Sequence, residues 1–290
     1  MAKIAVEKTA VTPSPRRDAR SNLPDTRVLA AGHGWAVREV VCTAGPSDPV
    51  FEEQHSQTSI AVVLTGTFQY STSTGRELMT PGSLLLGNAG DSFACGHEHG
   101  AGDRCISFHY SDELCDQFGV RLQRQRFKIP RLPAIRSLSP LVAEVSMLLR
   151  GDVDRAIFQE TALRVFDLAM HTQHGLADRQ RAADPSSLAR VTRVLRRIEA
   201  EPEAPHELCE LATIARLSPY HFLRCFQELT GTTPHQYLLR TRLRRAATRL
   251  KEESTNILDI ALDCGFGDVS NFNRAFRAEF GDSPRSYRNA

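Results

Sequence analysis

Two groups of residues have the types and spacing to do chemistry. The first is the stretch from Cys95 to Cys105, in which His97 and His99 stand two residues apart and so share one side if the segment is a strand. With Cys95, His55 or His109 added, they make a three- or four-donor set suited to Zn, Cu, Ni or Fe, or a polar lining for an organic ligand. The second group is near the C-terminus: Tyr220, His221, Arg224 and Gln227, then Ser270, Asn271, Asn273, Arg274 and Arg277. Arg pairs bidentately with guanine and Asn with adenine, while Ser and the amides of a helix N-terminus suit phosphates. That set is equipped to read nucleic-acid bases.

The elements that must hold these groups differ in texture. From residue 28 to about 110, short apolar runs (35–41, 59–64, 67–70, 83–86 and 104–110) alternate with turn signals such as Thr65-Gly66, Pro81-Gly82 and Asn88-Ala-Gly90. They predict strands joined by turns, hence a small barrel or sandwich. Past Ser137, Leu138, Leu141, Val142, Val145 and Leu148 fall on one helical face. Ile157, Leu163, Val165, Phe166 and Ala169 predict a second helix, so that helices over 138–150 and 155–174 would cover the strands. Residues 1–24 carry Pro, Ser, Thr and Arg without an apolar period and read as a mobile tail. The polar stretch 176–187, broken by Pro185, reads as a linker between a unit over 25–175 and a helical unit over 188–290.

The helical unit contains an internal repeat. At an offset of 50, Phe222, Arg224, Phe226, Gly231, Pro234 and Tyr237 align with Phe272, Arg274, Phe276, Gly281, Pro284 and Tyr287. Each copy predicts a short helix (Leu208, Leu211 and Ala212; Ile257, Ile260 and Ala261), a tight turn, and a second helix with an aromatic stripe (Phe222, Phe226 and Leu229; Phe272, Phe276 and Phe280). This is the helix-turn-helix unit, whose second helix enters the DNA major groove. The segment between the copies, 237–251, carries Arg240, Arg242, Arg244, Arg245, Arg249 and Lys251. It reads as a basic helical rod that spaces the two readers and adds salt-dependent attraction to DNA.

These residues resemble the AraC/XylS-type transcription regulators over roughly 188–288. The resemblance rests on Leu211, Ala212, Leu217, Ser218, His221 and Phe222 in the first unit. In the second it rests on Ile260, Ala261, Gly265, Phe266, Asp268, Ser270, Phe272, Arg274 and Phe276, followed by Phe280, Gly281, Ser283, Pro284, Tyr287 and Arg288. It implies that Tyr220, Arg224, Ser270, Asn271, Asn273 and Arg274 face bases or phosphates. Leu223 departs from the polar side chain of many relatives, which predicts fewer base contacts from the first unit. The N-terminal unit resembles the cupin-like sensory half of the same family through Leu64-Thr-Gly66 and the Pro81-Gly-Ser-Leu-Leu-Leu run. The implied fold is multidomain α+β: a cupin-like β-barrel with helices, followed by an all-α tandem helix-turn-helix.

A formal net charge of +2, from 36 Lys+Arg against 34 Asp+Glu, leaves nucleic-acid attraction to local clusters. No apolar run is long enough for a membrane span or a signal peptide, so the expected location is the cytoplasm, with no membrane partner. Seven cysteines without a CxxC pair argue against a disulfide framework; the expectation is reduced, mostly buried thiols, since only exposed low-pKa thiolates would sense oxidants. Nucleophile elbow, phosphate loop and HExxH are all missing from the sequence, so the chain reads as a non-enzyme. The alternative is a metal-dependent cupin enzyme with a helical accessory domain. Enzyme-type cupins place their ligand pair ahead of the first Gly turn, where this chain has only His55-Ser-Gln57, so no metal or cofactor is assigned. His55, Cys95, His97, His99 and His109 are instead candidates for an effector site. Expected partners are double-stranded DNA, a small-molecule effector, RNA polymerase and a second copy of the chain as a homodimer; activation and repression stay equally open.

Overall fold

The computed structural model describes residues 24–50, 52–73, 75–98, 100, 102–117, 126–149, 153–174 and 185–289. The tail 1–23, His99 and linker residues 176–184 lie outside that set. Two antiparallel sheets form the N-terminal region. The larger has the order β1 (Asp25–Gly32), β2 (Trp35–Cys42), β9 (Asp103–Tyr110), β4 (Thr58–Thr65), β7 (Leu84–Gly87), β10 (Arg131–Leu132). The smaller has the order β3 (Glu52–Gln54), β8 (Ser92–Gly96), β5 (Phe68–Thr72), β6 (Gly75–Met79). The five apolar runs of the sequence became β2, β4, β5, β7 and β9. Strands β1, β3, β6 and β8 lack such runs: β1 and β3 are largely exposed edge strands whose side chains need not be apolar.

Strand alternation sorts the large sheet into two faces. On one, Trp35 and Val37 of β2, Ile60 and Val62 of β4, and Ile106, Phe108 and Tyr110 of β9 pack against helices α2 (Ser139–Met147) and α3 (Arg155–His174). The Tyr110 hydroxyl donates to the Ala162 carbonyl at 2.8 Å, which satisfies a fully buried polar group at that seam. A short helix α1 (Asp112–Gln117) contributes the buried Cys115 to the same core. On the other face, Arg38, Val40, Cys42, Ser59, Ala61, Asp103, Cys105, Ser107 and His109 look toward the smaller sheet.

The C-terminal region is helical: α4 (Pro185–Ala200), α5 (Leu208–Ala215), α6 (Pro219–Thr230), α7 (Pro234–Glu252), α8 (Ile257–Asp263), α9 (Val269–Phe280) and α10 (Pro284–Asn289). Helix α4 already begins at Pro185, so residues 185–187 of the expected linker are helical. Proline's fixed φ and missing N–H suit the first helical turn, and Leu188, Val191, Val194, Leu195 and Ile198 behind it are buried. Two cores follow the repeat. Phe222, Phe226, Leu211 and Ala212 pack with α4 and Tyr237, and Phe272, Phe276, Ile260 and Ala261 pack with the second half of α7. Leu208, expected on the first apolar face, is instead exposed, because it sits in the opening turn before the helix meets its neighbours.

The two regions touch. Leu78 of β6 inserts into the first helical core. Pro133 sits against Gly231, where an added Cβ would come within 2.6 Å of it. At the far end, Glu279 of α9 accepts from Ser139 of α2 and pairs with Arg240 at 3.3 Å, while Arg136 donates to the Ala278 carbonyl. Among the described residues no helix is long and apolar enough to cross a membrane.

Candidate nucleic-acid interface and sheet cavity

Both reader helices are built by the same local chemistry. Helix α5 ends in a Schellman motif: Leu217 N–H bonds to the Ala212 carbonyl and Arg216 N–H to that of Thr213, each at 3.0 Å. Helix α8 repeats it with Phe266 to Ala261 at 3.1 Å and Gly265 to Leu262 at 2.9 Å. Here the offset between copies is 49, whereas Phe222 and Phe272 are offset by 50, so the second turn holds one extra residue, Gly267, between Phe266 and the capping Asp268. Helix α6 then starts under a Ser218 cap that accepts from His221 N–H, and α9 under an Asp268 cap that accepts from Asn271 N–H at 2.7 Å. Left-handed Gly231 and Gly281 end both helices.

With the Phe pairs turned inward, all nine residues expected on the reading face are exposed: Tyr220, His221, Arg224 and Gln227 on α6, and Ser270, Asn271, Asn273, Arg274 and Arg277 on α9. Tyr220, at 78% exposure, is the most exposed of the large hydrophobic side chains among the described residues. Arg224 is held by Glu228 at 2.9 Å, one turn along α6, so its guanidinium must leave a carboxylate to meet a base. Arg274 instead donates to Asn271 Oδ1 at 3.1 Å, which aligns an Arg–Asn pair on the outer face of α9.

The basic rod does not survive as a DNA-facing surface. Arg240 is engaged by Glu279 and the Ala134 carbonyl, Arg242 by the Pro202 and Ala204 carbonyls, and Arg245 by Glu203. Arg249 binds Glu253 and Asp263, and Lys251 lies over the Tyr287 ring. Arg244 reaches Glu199 at 3.5 Å and lines an open cavity of about 520 Å³ between α7, α2 and the large sheet. Helix α7 is central to the helical region, so its cations neutralise neighbouring acids and carbonyl ends; nothing in a single helix's sequence records those partners.

A second cavity, about 400 Å³, lies between the two sheets and within the range of small-molecule sites. It gathers His55, Cys95, His97 and His109, four of the five candidate effector residues; His99 lies outside the described residues. His55 bonds Tyr70 Oη at 2.8 Å and Ser59 Oγ at 2.9 Å and stacks on Phe93. Burial lowers its pKa to about 4 against the opposing pull of Asp91. His109, 3.0 Å from Ser107 Oγ, is lowered to about 4 by burial, reinforced by Arg38 and His55. His97 behaves oppositely. Burial works against its charged form, yet its 2.7 Å contact to Asp103 and the adjoining Cys42 thiol raise it to about 9. Burial pushes the Cys95 and Cys105 thiols up, so both are protonated and inert at neutral pH. Among the cavity residues that the sequence left unassigned are Cys42, Asp103 as a His97 partner, and Arg38, whose Nε is buried without a hydrogen-bond partner among the described residues. The alternation of residues 103 to 109 was the available signal; the pairing of Cys42 with Asp103 across β2 and β9 was not.

Residues 211–290 match the family model described as a helix-turn-helix domain. Over 85 residues the chain is 39% identical to an HTH-type transcriptional regulator of Mycobacterium tuberculosis, covering 29% of this chain and 33% of that protein. Over 90 residues it is 40% identical to the HTH-type transcriptional activator RhaS of Klebsiella pneumoniae, covering 30% of this chain and 32% of RhaS. It is also similar, at 31% identity, to the crystal structure of a Chromobacterium violaceum transcriptional regulator described as an AraC-type DNA-binding domain-containing protein. That match covers 37% of this chain and 95% of the other, with a TM-score of 0.34. The matches span about a third of the length of these curated relatives. The C-terminal part of this chain is thus a helix-turn-helix domain, and the relatives it resembles there are transcriptional regulators.

Proposed function

We propose that the chain is a sequence-specific DNA-binding transcription regulator of the AraC/XylS type. The observation that carries this reading is the pair of capped, aromatic-anchored helices, α6 and α9, each following the same Schellman turn and each presenting exposed Arg, Asn, Ser or Tyr side chains. Both helices enter successive major grooves. Arg224, Arg274, Asn271 and Asn273 read base edges, while Tyr220, His221, Gln227, Ser270 and Arg277 contact phosphates and sugars. The match of residues 211–290 to a helix-turn-helix domain supports this assignment.

The N-terminal region, residues 25–175, is the cupin-like sensory half and takes a small effector in the cavity between its sheets. Arg38 at the cavity wall suits the acidic or polar end of such a molecule, and Phe68, Phe93 and Leu85 suit an apolar body. Effector binding changes DNA affinity through the contacts of Leu78, Ser139 and Arg136 with the helical region, which is a linkage between two sites. The chain works in the cytoplasm as a homodimer beside RNA polymerase.

Capture of genomic fragments by the full-length protein, followed by gel-shift titration at two salt concentrations, tests the reading. A recurring site bound with nanomolar, salt-sensitive affinity is expected. Binding that shows no sequence preference, or that is unchanged in both Arg224→Ala and Arg274→Ala, overturns it.

A further inference from the structure

The cavity holds one cluster that base reading does not explain. Cys42 ends β2, Asp103 opens β9 directly opposite it in register, and His97 follows β8 on the facing sheet. The Cys42 sulfur, an imidazole nitrogen of His97 and a carboxylate oxygen of Asp103 all lie within 4.8 Å of one another. His97 Nε2 and Asp103 Oδ2 are 2.7 Å apart, and both side chains are only 5% exposed.

From this, the geometry points to a binding site for a thiophilic divalent cation, with Zn²⁺ as the type case, coordinated by Cys42, His97 and Asp103 with one position open to the cavity. The donor set is one sulfur, one nitrogen and one oxygen, the mixture that Zn²⁺ accepts and that Mg²⁺ or Ca²⁺, which require oxygen cages, do not. Tetrahedral Zn²⁺ with bonds of about 2.0–2.3 Å places its donors roughly 3.5 Å apart. The three donor atoms already lie within 4.8 Å of one another, near that spacing. A three-residue set with one open position is also the pattern of zinc sites that exchange a water or ligand, as opposed to the closed four-residue sets of structural sites. All three residues line the cavity, so the open position faces it; the same wall carries the Cys95 thiol, and Cys105 Sγ lies 3.9 Å from Asp103 Oδ1. Of the pair first suggested by spacing, His97 belongs to this set with partners from β2 and β9, and His99 lies outside the described residues. The site stands independently of whether the chain reads DNA, because it is measured with the metal alone.

The test uses the full-length chain, reduced and stripped with a chelator, then titrated with Zn²⁺ against a chromophoric competitor and with Co²⁺ by absorption. One tight equivalent per chain is expected, with a sulfur-to-cobalt charge-transfer band and the intense visible bands of tetrahedral cobalt. Cys42→Ser removes the charge-transfer band. Cys42→Ser and His97→Gln each weaken Zn²⁺ by at least roughly 100-fold, the upper end of what losing even an outer-shell partner costs. Cys209→Ser, which removes the exposed thiol, leaves binding unchanged. Absence of a tight equivalent in the wild-type chain means a hydrogen-bonded cluster only, and overturns the site. An equivalent that persists in Cys42→Ser, or that Cys209→Ser abolishes, overturns it as well. If Cys42→Ser fails to fold, the wild-type and Cys209→Ser cobalt spectra still decide.

Discussion

The sheet region and the helical region arrange their polar chemistry in opposite directions. The sheets turn aliphatic and aromatic side chains toward covering helices and keep His55, His97, His109, Cys42, Cys95, Asp103 and Arg38 on the inside, around a cavity. The helical repeat keeps its Phe pairs inside and puts Arg, Asn, Ser and Tyr outside. Buried polar groups are costly unless partnered, so the sheet region invests in a concave, enclosed surface, the form that suits a small ligand. Exposed polar groups on a rigid helix cost little and suit a large partner such as a duplex. The difference teaches where to look for each partner, even though one chain carries both.

The largest effect expected from disturbing this contrast is in the aromatic stripes. Phe226→Ala and Phe276→Ala each destabilise the helical region by about 3–5 kcal/mol, measured by urea unfolding, because both rings are fully buried among other rings. An unequal pair of values would show which of the two cores collapses less around the cavity left behind.

Acid separates the two regions next. His55 and His109 are neutral when folded, with pKa values near 4, while in the unfolded chain they titrate near 6.5. Above pH 6.5 neither state binds the proton and stability is at its full value. As the pH falls from 6.5 toward 4 the unfolded chain takes up protons that the folded chain refuses, and stability declines by up to roughly 3 kcal/mol per histidine. Below pH 4 this loss levels off. Unfolding midpoints at pH 7.5, 5.5 and 4.5 check it, and His55→Gln flattens part of the slope.

On the outer face, Arg274→Ala weakens specific DNA binding by roughly 10- to 100-fold, the range for one bidentate base contact, and relaxes preference at one base pair. Arg224→Ala has the smaller effect, because Arg224 must first leave Glu228. A larger loss from Arg224 would reverse the ranking of the two units.

The smallest effect concerns the turns. Arg216 occupies a left-handed conformation, φ 54°, where the second copy has Gly265, φ 86°. Arg216→Gly is expected to stabilise the chain by about 1 kcal/mol, by relieving the Cβ conflict of that conformation. Gly265→Ala acts in the opposite sense and more strongly, since an added Cβ would stand 2.8 Å from the Glu203 backbone. Thermal melting of the two variants compares them directly.

What the chain's sequence determined alone was everything set by near neighbours. Phe222 and Phe226, or Phe272 and Phe276, four apart, define a buried stripe; Ser218 and Asp268 cap three residues ahead; Gly231 and Gly281 stop the helices. The exposed face of nine residues follows from those local facts. The apolar strands and the helices expected over 138–150 and 155–174 were legible on the same basis, whereas the gathering of His55, Cys95, His97 and His109 around one cavity depends on how the two sheets pair and face each other. Tertiary structure alone decided what depends on partners far along the chain. Arg240, Arg242, Arg245 and Arg249 read as free charge until Glu279, Glu203, Asp263 and backbone carbonyls are brought against them. Cys42 and Asp103, 61 positions apart (103 − 42), become neighbours only when β2 pairs with β9. Periodicity and capping are short-range properties of a chain, whereas charge neutralisation and ligand clustering are set by strand register and helix packing, which no local pattern encodes.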